Sequence, residues 1–261
     1  MEKYKNKIKA YVLSDVGNVR DNNEDNYIIG HCLNEFSENH HFSSLSQEND
    51  SWTVFGVFDG MGGYEGGEVA SYIAAKEFQN LSFGVKKTTA YEIDELVENT
   101  FLTINNKIVG ERKHQYASGT TASVLVTNGS QYKIFHYGDS RVYLLHNGEL
   151  FLLTKDQTLA QLKMDMGIET CEREHHQLTE FLGMDDVEGN GTSFRTEWKN
   201  LDPKDKIIIC SDGLYDMCDE QTVLSEVMRT DNCEDAVNNL VQLALKNGGR
   251  DNVTIMMLEV E

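Results

Sequence analysis

Between residues 120 and 154, apolar residues alternate with polar ones at a period of two through TTASVLVT, QYKIFHYG, SRVYLLH and ELFLLT, which predicts an antiparallel meander of strands. Asn147-Gly148, between the last two stretches, is the strongest hairpin-turn signal in the chain, because both residue types tolerate the positive φ that a tight turn needs. Further strands are expected at 8–13, 27–29, 53–59 (TVFGVFD), 205–211 (DKIIICS) and 252–260 (NVTIMMLEV). The first two, joined by a polar turn carrying Arg20 and Glu24, read as a hairpin-like opening. Helical spacing appears after TVFGVFD, where glycines give way to a run with Val69, Tyr72 and Ile73 on one face. It recurs at 91–109, with Leu96, Val97, Phe101, Ile104 and Ile108 aligned, and at 233–246, with Val237, Leu240, Val241 and Ala244 aligned. Residues 34–51 are polar and read as a surface loop; 158–199 read as a polar excursion opened by the short helical piece TLAQLKMD.

Strands fall in blocks and helices fall in blocks, which favours an α+β fold over a parallel βαβ fold. With one proline, Pro203, and no linker, repeat or low-complexity tract, residues 1–261 are expected to form a single domain.

Carboxylates recur where these apolar runs meet turns: Glu24 and Asp25, Asp59, Asp139, Asp212 with Asp216, and Asp251. Asp59 ends a strand beside Gly60, whose carbonyl no side chain shields, so two oxygens come from neighbouring residues. Asp212 repeats the arrangement after IIICS, and Asp216, four residues on, shares its face if DGLYD opens a helical turn. Oxygen donors of this kind suit hard cations such as Mg²⁺, Mn²⁺ or Ca²⁺. Gathering them without a cation is costly in repulsion and desolvation, so convergence implies one. Two ions about 4 Å apart lower the pKa of a shared water and neutralise charge on a phosphoryl group. Arg20 adds a planar guanidinium that grips two phosphate oxygens, which makes a phosphate ester the natural substrate.

Bulk composition narrows the partners. A net charge of −20 opposes binding to nucleic acid or to an anionic membrane. No stretch approaches the roughly 18 apolar residues of a membrane span, and the N-terminus has no apolar signal core, so a cytoplasmic address is expected. Five cysteines without CxxC spacing read as reduced thiols, and Cys210 as packed in a strand.

Each signal also has a plain reading. An isolated Asp-Gly is a turn, a lone arginine a surface ion pair, SGTTAS a strand start, and the pairs His40-His41 and His175-His176 solvent-exposed. The motifs together say more. SDVGNVRDNNED (14–25), FDGMGG (58–63), SGTTAS (118–123), GDSRVYLL (138–145), LTKDQ (153–157), LTEFLG (178–183), CSDGLYD (210–216) and DNVTIM (251–256) span nearly the whole chain. In this order they resemble the metal-dependent type 2C serine/threonine protein phosphatases, especially the bacterial single-domain members.

The resemblance implies two packed antiparallel sheets flanked by helices, an α-β-β-α sandwich, with metals in a cleft at one end and a flap at 158–199. It implies that Asp59 bridges two Mn²⁺ or Mg²⁺ ions, that Asp212 and Asp251 complete the first site, and that the Gly60 carbonyl and Glu24 serve the second, with Asp25 supporting its water shell. Asp139, Asp212 and Asp216 correspond to a third metal position. Asp59 and Asp212 are the central catalytic carboxylates, and Arg20 is the catalytic, substrate-binding arginine. The expected activity is hydrolysis of phosphoserine and phosphothreonine in phosphorylated proteins by a water that the two metals activate, in a monomer that binds neither nucleic acid nor membrane. Where many eukaryotic relatives have His after Asp-Gly this chain has Met61, as in bacterial relatives, so no His stands there to protonate the leaving alkoxide; where the family often has His after LTxD it has Gln157. A pseudophosphatase that only binds phosphoproteins, or a phosphatase for small phosphate esters, are the competing expectations.

Overall fold

The computed structural model describes residues 7–36, 38–48, 52–62, 66–81, 89–111, 118–185 and 194–261. Gly63 of the FDGMGG motif and residues 186–193 of the excursion lie outside them. The strands are β1 (Lys7–Asp15), β2 (Asp25–Ile29), β3 (His40–Glu48), β4 (Thr53–Gly62), β5 (Ser118–Thr120), β6 (Ala122–Thr127), β7 (Gln131–Tyr137), β8 (Arg141–His146), β9 (Glu149–Leu152), β10 (Phe194–Arg195), β11 (Lys199–Asn200), β12 (Lys206–Cys210) and β13 (Val253–Val260). The helices are α1 (Gly67–Asn80), α2 (Ala90–Glu111), α3 (Leu159–Asp165), α4 (Glu172–His175), α5 (Asp212–Tyr215), α6 (Glu220–Arg229) and α7 (Cys233–Lys246).

Two antiparallel sheets result, ordered β3-β1-β13-β12-β8-β9 and β10-β7-β6-β4-β2. The period-two pattern explains how they stack. On β1, Ile8, Ala10 and Val12 enter an apolar layer with Phe55, Val57, Ile207, Ile209, Met256 and Leu258 of neighbouring strands, between the sheets. Tyr11 and Leu13, pointing the other way, pack with Val237, Leu240 and Val241 of α7. On β4 the alternate residues Val54 and Phe58 pack instead with Ala74 and Phe78 of α1 and Val97, Phe101 and Ile104 of α2. Strands covered on both faces read as continuous apolar runs, and helix, sheet, sheet, helix is the order of layers.

The expected strands and helices form, with several differences. β1 and β2 make no hairpin: β1 pairs with β13 and β3, whereas β2 pairs with β4, so the Arg20 turn crosses from one sheet to the other. The meander is split the same way. β6 pairs with β7 in one sheet and β8 with β9 in the other, and the connection carrying Asp139 passes between them. Asn147 and Gly148 do close the β8–β9 hairpin, with φ of 52° and 84°.

The polar stretch 34–51 is not simply loop. Residues 40–48 form the edge strand β3, held to β1 by backbone pairing while the side chains of 40–47 alternate between exposed and half-buried. An edge strand with one wet face needs no apolar alternation, which hides it from a hydrophobicity reading. On α1, Val69 is 44% exposed, and Ala70, Ala74, Ala75 and Phe78 form the buried face instead, because small side chains let this helix lie close on β4. The end of the 158–199 excursion is also sheet: β10 and β11 pair with β7. Among the described residues no helix is long and apolar enough to cross a membrane.

His136 on β7 lies opposite Ser123 on β6, fully buried, with its Nδ1 and the serine Oγ 2.9 Å apart. Its Nε2 has no hydrogen-bond partner, and burial holds the imidazole down to about 4. A histidine depressed in the fold adds stability above its ordinary range near 6.5, and that stability is lost as pH falls through about 4. The stability advantage of wild type over His136→Asn in urea unfolding should therefore shrink by up to about 3 kcal/mol as pH is lowered from 7 to 4; a constant difference would show that the ring is not held neutral.

Candidate metal centre

Antiparallel pairing brings opposite strand termini to the same edge. Asp25 opens β2 and stands directly across from Asp59 near the end of β4. In the other sheet, Asp251 precedes β13, whose register sets Ile255 beside Cys210 at the end of β12, and Cys210 lies beside Arg141 at the start of β8. Asp212 follows β12 and Asp139 precedes β8, so six carboxylates from distant parts of the chain, Glu24 included, arrive at one end of the sandwich. The backbone is shaped for this approach. A Cβ on Gly60 would lie 2.2 Å from the Gly67 carbonyl oxygen and 2.4 Å from that of Glu24, and one on Gly213 would lie 2.0 Å from that of Asn252.

Crowding is visible at Asp59, Asp25, Asp139, Glu24 and Asp216. Burial raises Asp59 well above the usual carboxylate range, and Asp25, Asp212, Asp139 and Asp251 raise it further. Burial also raises Asp25, to about 7, and Asp212 and Asp251 add to the effect against hydrogen bonds that oppose it. Asp139 is raised by burial and then by Asp212, Glu24 by burial and then by Glu68, and Asp216 by burial and then by Asp212. One oxygen of Asp25 accepts from Ser211 Oγ at 2.8 Å, whereas its buried Oδ1 has no partner. A directly opposed pair of acidic groups, Asp25 buried and Asp59 half-buried, with an unsatisfied oxygen is what a divalent cation relieves, and the donors are all oxygen. The residues present therefore fit Mn²⁺ or Mg²⁺.

Arg20 Nη2 donates to Asp251 Oδ2 at 2.6 Å, with the guanidinium half exposed, so the arginine stands at the edge of the carboxylate cluster. Asp212 and Asp216 do share one helical turn, with the Asp216 N–H donating to the Asp212 carbonyl at 2.9 Å. Met61 lies on β4 and carries no titratable proton.

Several supporting residues escape a motif reading. The Asp59 N–H donates to Thr121 Oγ1 at 3.0 Å, and the Asp59 carbonyl accepts from Thr121 N–H at 2.9 Å and Thr120 Oγ1 at 3.0 Å. SGTTAS is thus a clamp on Asp59 as well as a strand start. Thr121 Oγ1 lies 2.7 Å from Ser140 Oγ, beside Asp139. Asn252 accepts from the Glu24 N–H at 2.8 Å and donates to the carbonyls of Val16 and Asn22, tying the Arg20 turn to β13. Gln157 accepts from the Gly138 N–H at 2.7 Å through Oε1 and donates its own N–H to the Gly138 carbonyl at 2.8 Å, bracing the Asp139 turn.

His176 is exposed, as expected, yet it faces two of the carboxylates. It follows α4 in the excursion, its Nδ1 is 3.9 Å from Asp212 Oδ2 and its Nε2 3.9 Å from Asp216 Oδ2, and Asp212 and then Asp216 push it up to about 9. Beside it a cleft of roughly 330 Å³ is lined by Arg141, Glu172, His175, Tyr215 and Arg250 among others. Cys210 is buried and pushed up to about 12, which fits packing and not nucleophilic attack.

The model of the protein phosphatase 2C family matches residues 39–246. The serine/threonine protein phosphatase PstP of Mycobacterium tuberculosis is 30% identical over 248 residues, 95% of this chain, and the chain spans 44% of that relative's length. The serine/threonine phosphatase stp of Listeria monocytogenes is 29% identical over 94% of this chain and 93% of its own. A solved structure of the catalytic domain of PstP in complex with two manganese ions superposes with a TM-score of 0.75 at 29% identity, covering 97% of this chain and 99% of that one.

The raised carboxyls set a pH dependence. A carboxyl held up in the fold contributes stability below its ordinary range, near 3.8, and loses it as pH rises toward about 7, as at Asp25. A bound cation offsets that loss and must displace the same protons. The rise in melting temperature on adding saturating Mn²⁺ should therefore be several degrees larger at about pH 8 than at about pH 5, and Asp25→Asn should flatten the difference. An equal rise at both pH values would contradict the assignment.

Proposed function

This chain belongs to the protein phosphatase 2C family, and on that premise we propose that it hydrolyses phosphoserine and phosphothreonine in phosphorylated proteins, as a single metal-dependent catalytic domain. The observation that carries the reading is the crowding of Asp59 against Asp25, Asp139, Asp212 and Asp251, with the orphaned Asp25 Oδ1 among them. Asp59, Asp212 and Asp251 would hold one ion, and Asp59, the Gly60 carbonyl and Glu24 would hold the other; Asp25 would order the surrounding water, and Asp139 and Asp216 with Asp212 would serve a third position. When bound, Mn²⁺ or Mg²⁺ supplies an acidified water and neutralises phosphoryl charge.

The chain's own residues provide the rest. Thr120 and Thr121 fix the Asp59 backbone, and Asn252 fixes Glu24 relative to Asp251. Arg20, poised against Asp251, is the guanidinium that grips phosphate oxygens in a bidentate fork, a contact lysine does not reproduce. Retention of every carboxylate in the motif set disfavours a binding-only pseudophosphatase. In this proposal the chain acts as a cytoplasmic monomer in signalling opposite serine/threonine kinases, and the acidic net charge disfavours nucleic acid and anionic membrane as partners.

With Mn²⁺ the protein should hydrolyse p-nitrophenyl phosphate and phosphothreonine peptides, and faster than phosphotyrosine peptides or small phosphorylated metabolites. Chelation should abolish turnover, and Asp59→Asn or Asp212→Asn should lower kcat by about a hundredfold or more. Turnover that survives chelation in folded protein would overturn the proposal.

A further inference from the structure

We propose that His176 is a metal ligand delivered by the excursion: with Asp139, Asp212 and Asp216 it forms a mixed nitrogen and oxygen site that takes Mn²⁺ in preference to Mg²⁺. The inference rests on the metal reading above and adds to it a donor that no motif supplies. Among the described residues, His176, Asp212 and Asp216 are one of two groups of three or more potential ligands whose donor atoms all lie within 4.8 Å of one another.

The other group, His146 with Asp202 and Asp205, explains itself without an ion, because His146 Nδ1 and Asp205 Oδ1 are in direct contact at 2.7 Å and Asp205 Oδ2 accepts from the Asp202 N–H at 2.9 Å. His40 meets Asp15 at the same 2.7 Å. His176 differs: each ring nitrogen stands 3.9 Å from a carboxylate oxygen. That is beyond hydrogen bonding; only one of the two nitrogens can ligate a given ion, and one nitrogen with one oxygen from each of Asp212 and Asp216 lie within 4.8 Å of one another, about the widest separation of donors that each stand about 2.0–2.3 Å from a shared cation.

Two further observations bear on the same point. Asp139, 5% exposed, receives no hydrogen bond on its carboxylate from another described residue; only its backbone carbonyl accepts one, from Tyr215. The position of His176 is also fixed from both sides. Glu174 is paired with Lys163 of α3, and the Gln177 carbonyl accepts from the Leu159 N–H at 2.8 Å, so the ring is held at the carboxylates by the folded base of the excursion. An imidazole donor favours Mn²⁺ over Mg²⁺, which keeps to oxygen and water. A cation bound here ties the excursion to Asp212, and through it to the main centre.

The test is electron spin echo spectroscopy with Mn²⁺ titrated into the full chain, alongside calorimetric titrations with Mn²⁺ and Mg²⁺. Wild type should bind a third Mn²⁺ after two tighter ones, and the third should show nitrogen modulation from a directly bound imidazole. His176→Ala should lose that modulation and weaken the third Mn²⁺ step by about tenfold or more, with Mg²⁺ affinity changed less than about twofold; His175→Ala should keep the modulation. The ring is half exposed, so the variant should fold. Two Mn²⁺ bound without a third, or modulation that persists in His176→Ala, would overturn the proposal while leaving the two-ion reading intact. No Mn²⁺ binding at all in wild type would overturn both.

Discussion

The fold holds like charges together. Asp25 and Asp59 are cross-strand neighbours, and Asp212, Asp139 and Asp251 approach the same pair from the second sheet. In an isolated pair of strands this arrangement would be destabilising. It persists because its positions are strand ends, and the strands are fixed by three apolar layers far larger than the site: one between the sheets, one under α1 and α2, and one under α7. Register then determines which residues meet, and a slip of one residue at β2 or β4 would turn Asp25 or Asp59 to the opposite face.

Around the carboxylates, short polar contacts convert that coarse placement into a defined one. Ser123 joins His136 to the Ser140 carbonyl, Ser140 meets Thr121, and Thr121 holds the Asp59 backbone, a chain of contacts from the end of β7 to the cleft. On the other side Asn252 spans Glu24, Val16 and Asn22. These groups touch no substrate in the proposed reaction. They decide how far each carboxylate can move when charge is added or removed, and buried networks of this sort are costly to leave half satisfied.

Much of this was legible in the chain. Apolar runs located β4, β6, β7, β12 and β13, because strands covered on both faces need apolar residues on both, and α7 falls where its helical spacing put it. The acidic turns were legible for a related reason, since a carboxylate beside glycine at the end of such a run has few structural purposes. What the pattern missed was set by partners distant in sequence. β3 is held by backbone pairing to β1, and the crossings after β1 and β7 depend on which sheet each strand joins. Thr121, Asn252 and His176 act through a few contacts with residues up to 236 positions away, which leave no periodic trace. The alanine face of α1 misleads for another reason: close packing there favours small side chains over the more hydrophobic Val69.

The central claim is that this acidic end of the sandwich is a two-ion site built around Asp59. Anomalous diffraction at the manganese edge, from crystals grown with Mn²⁺, tests it without reference to turnover. The account predicts two strong peaks about 4 Å apart, both within about 2.5 Å of Asp59 carboxylate oxygens, one also at Asp212 and Asp251 and the other at the Gly60 carbonyl. Manganese peaks confined to other parts of the surface, with the Asp59 carboxylate bare, would contradict it.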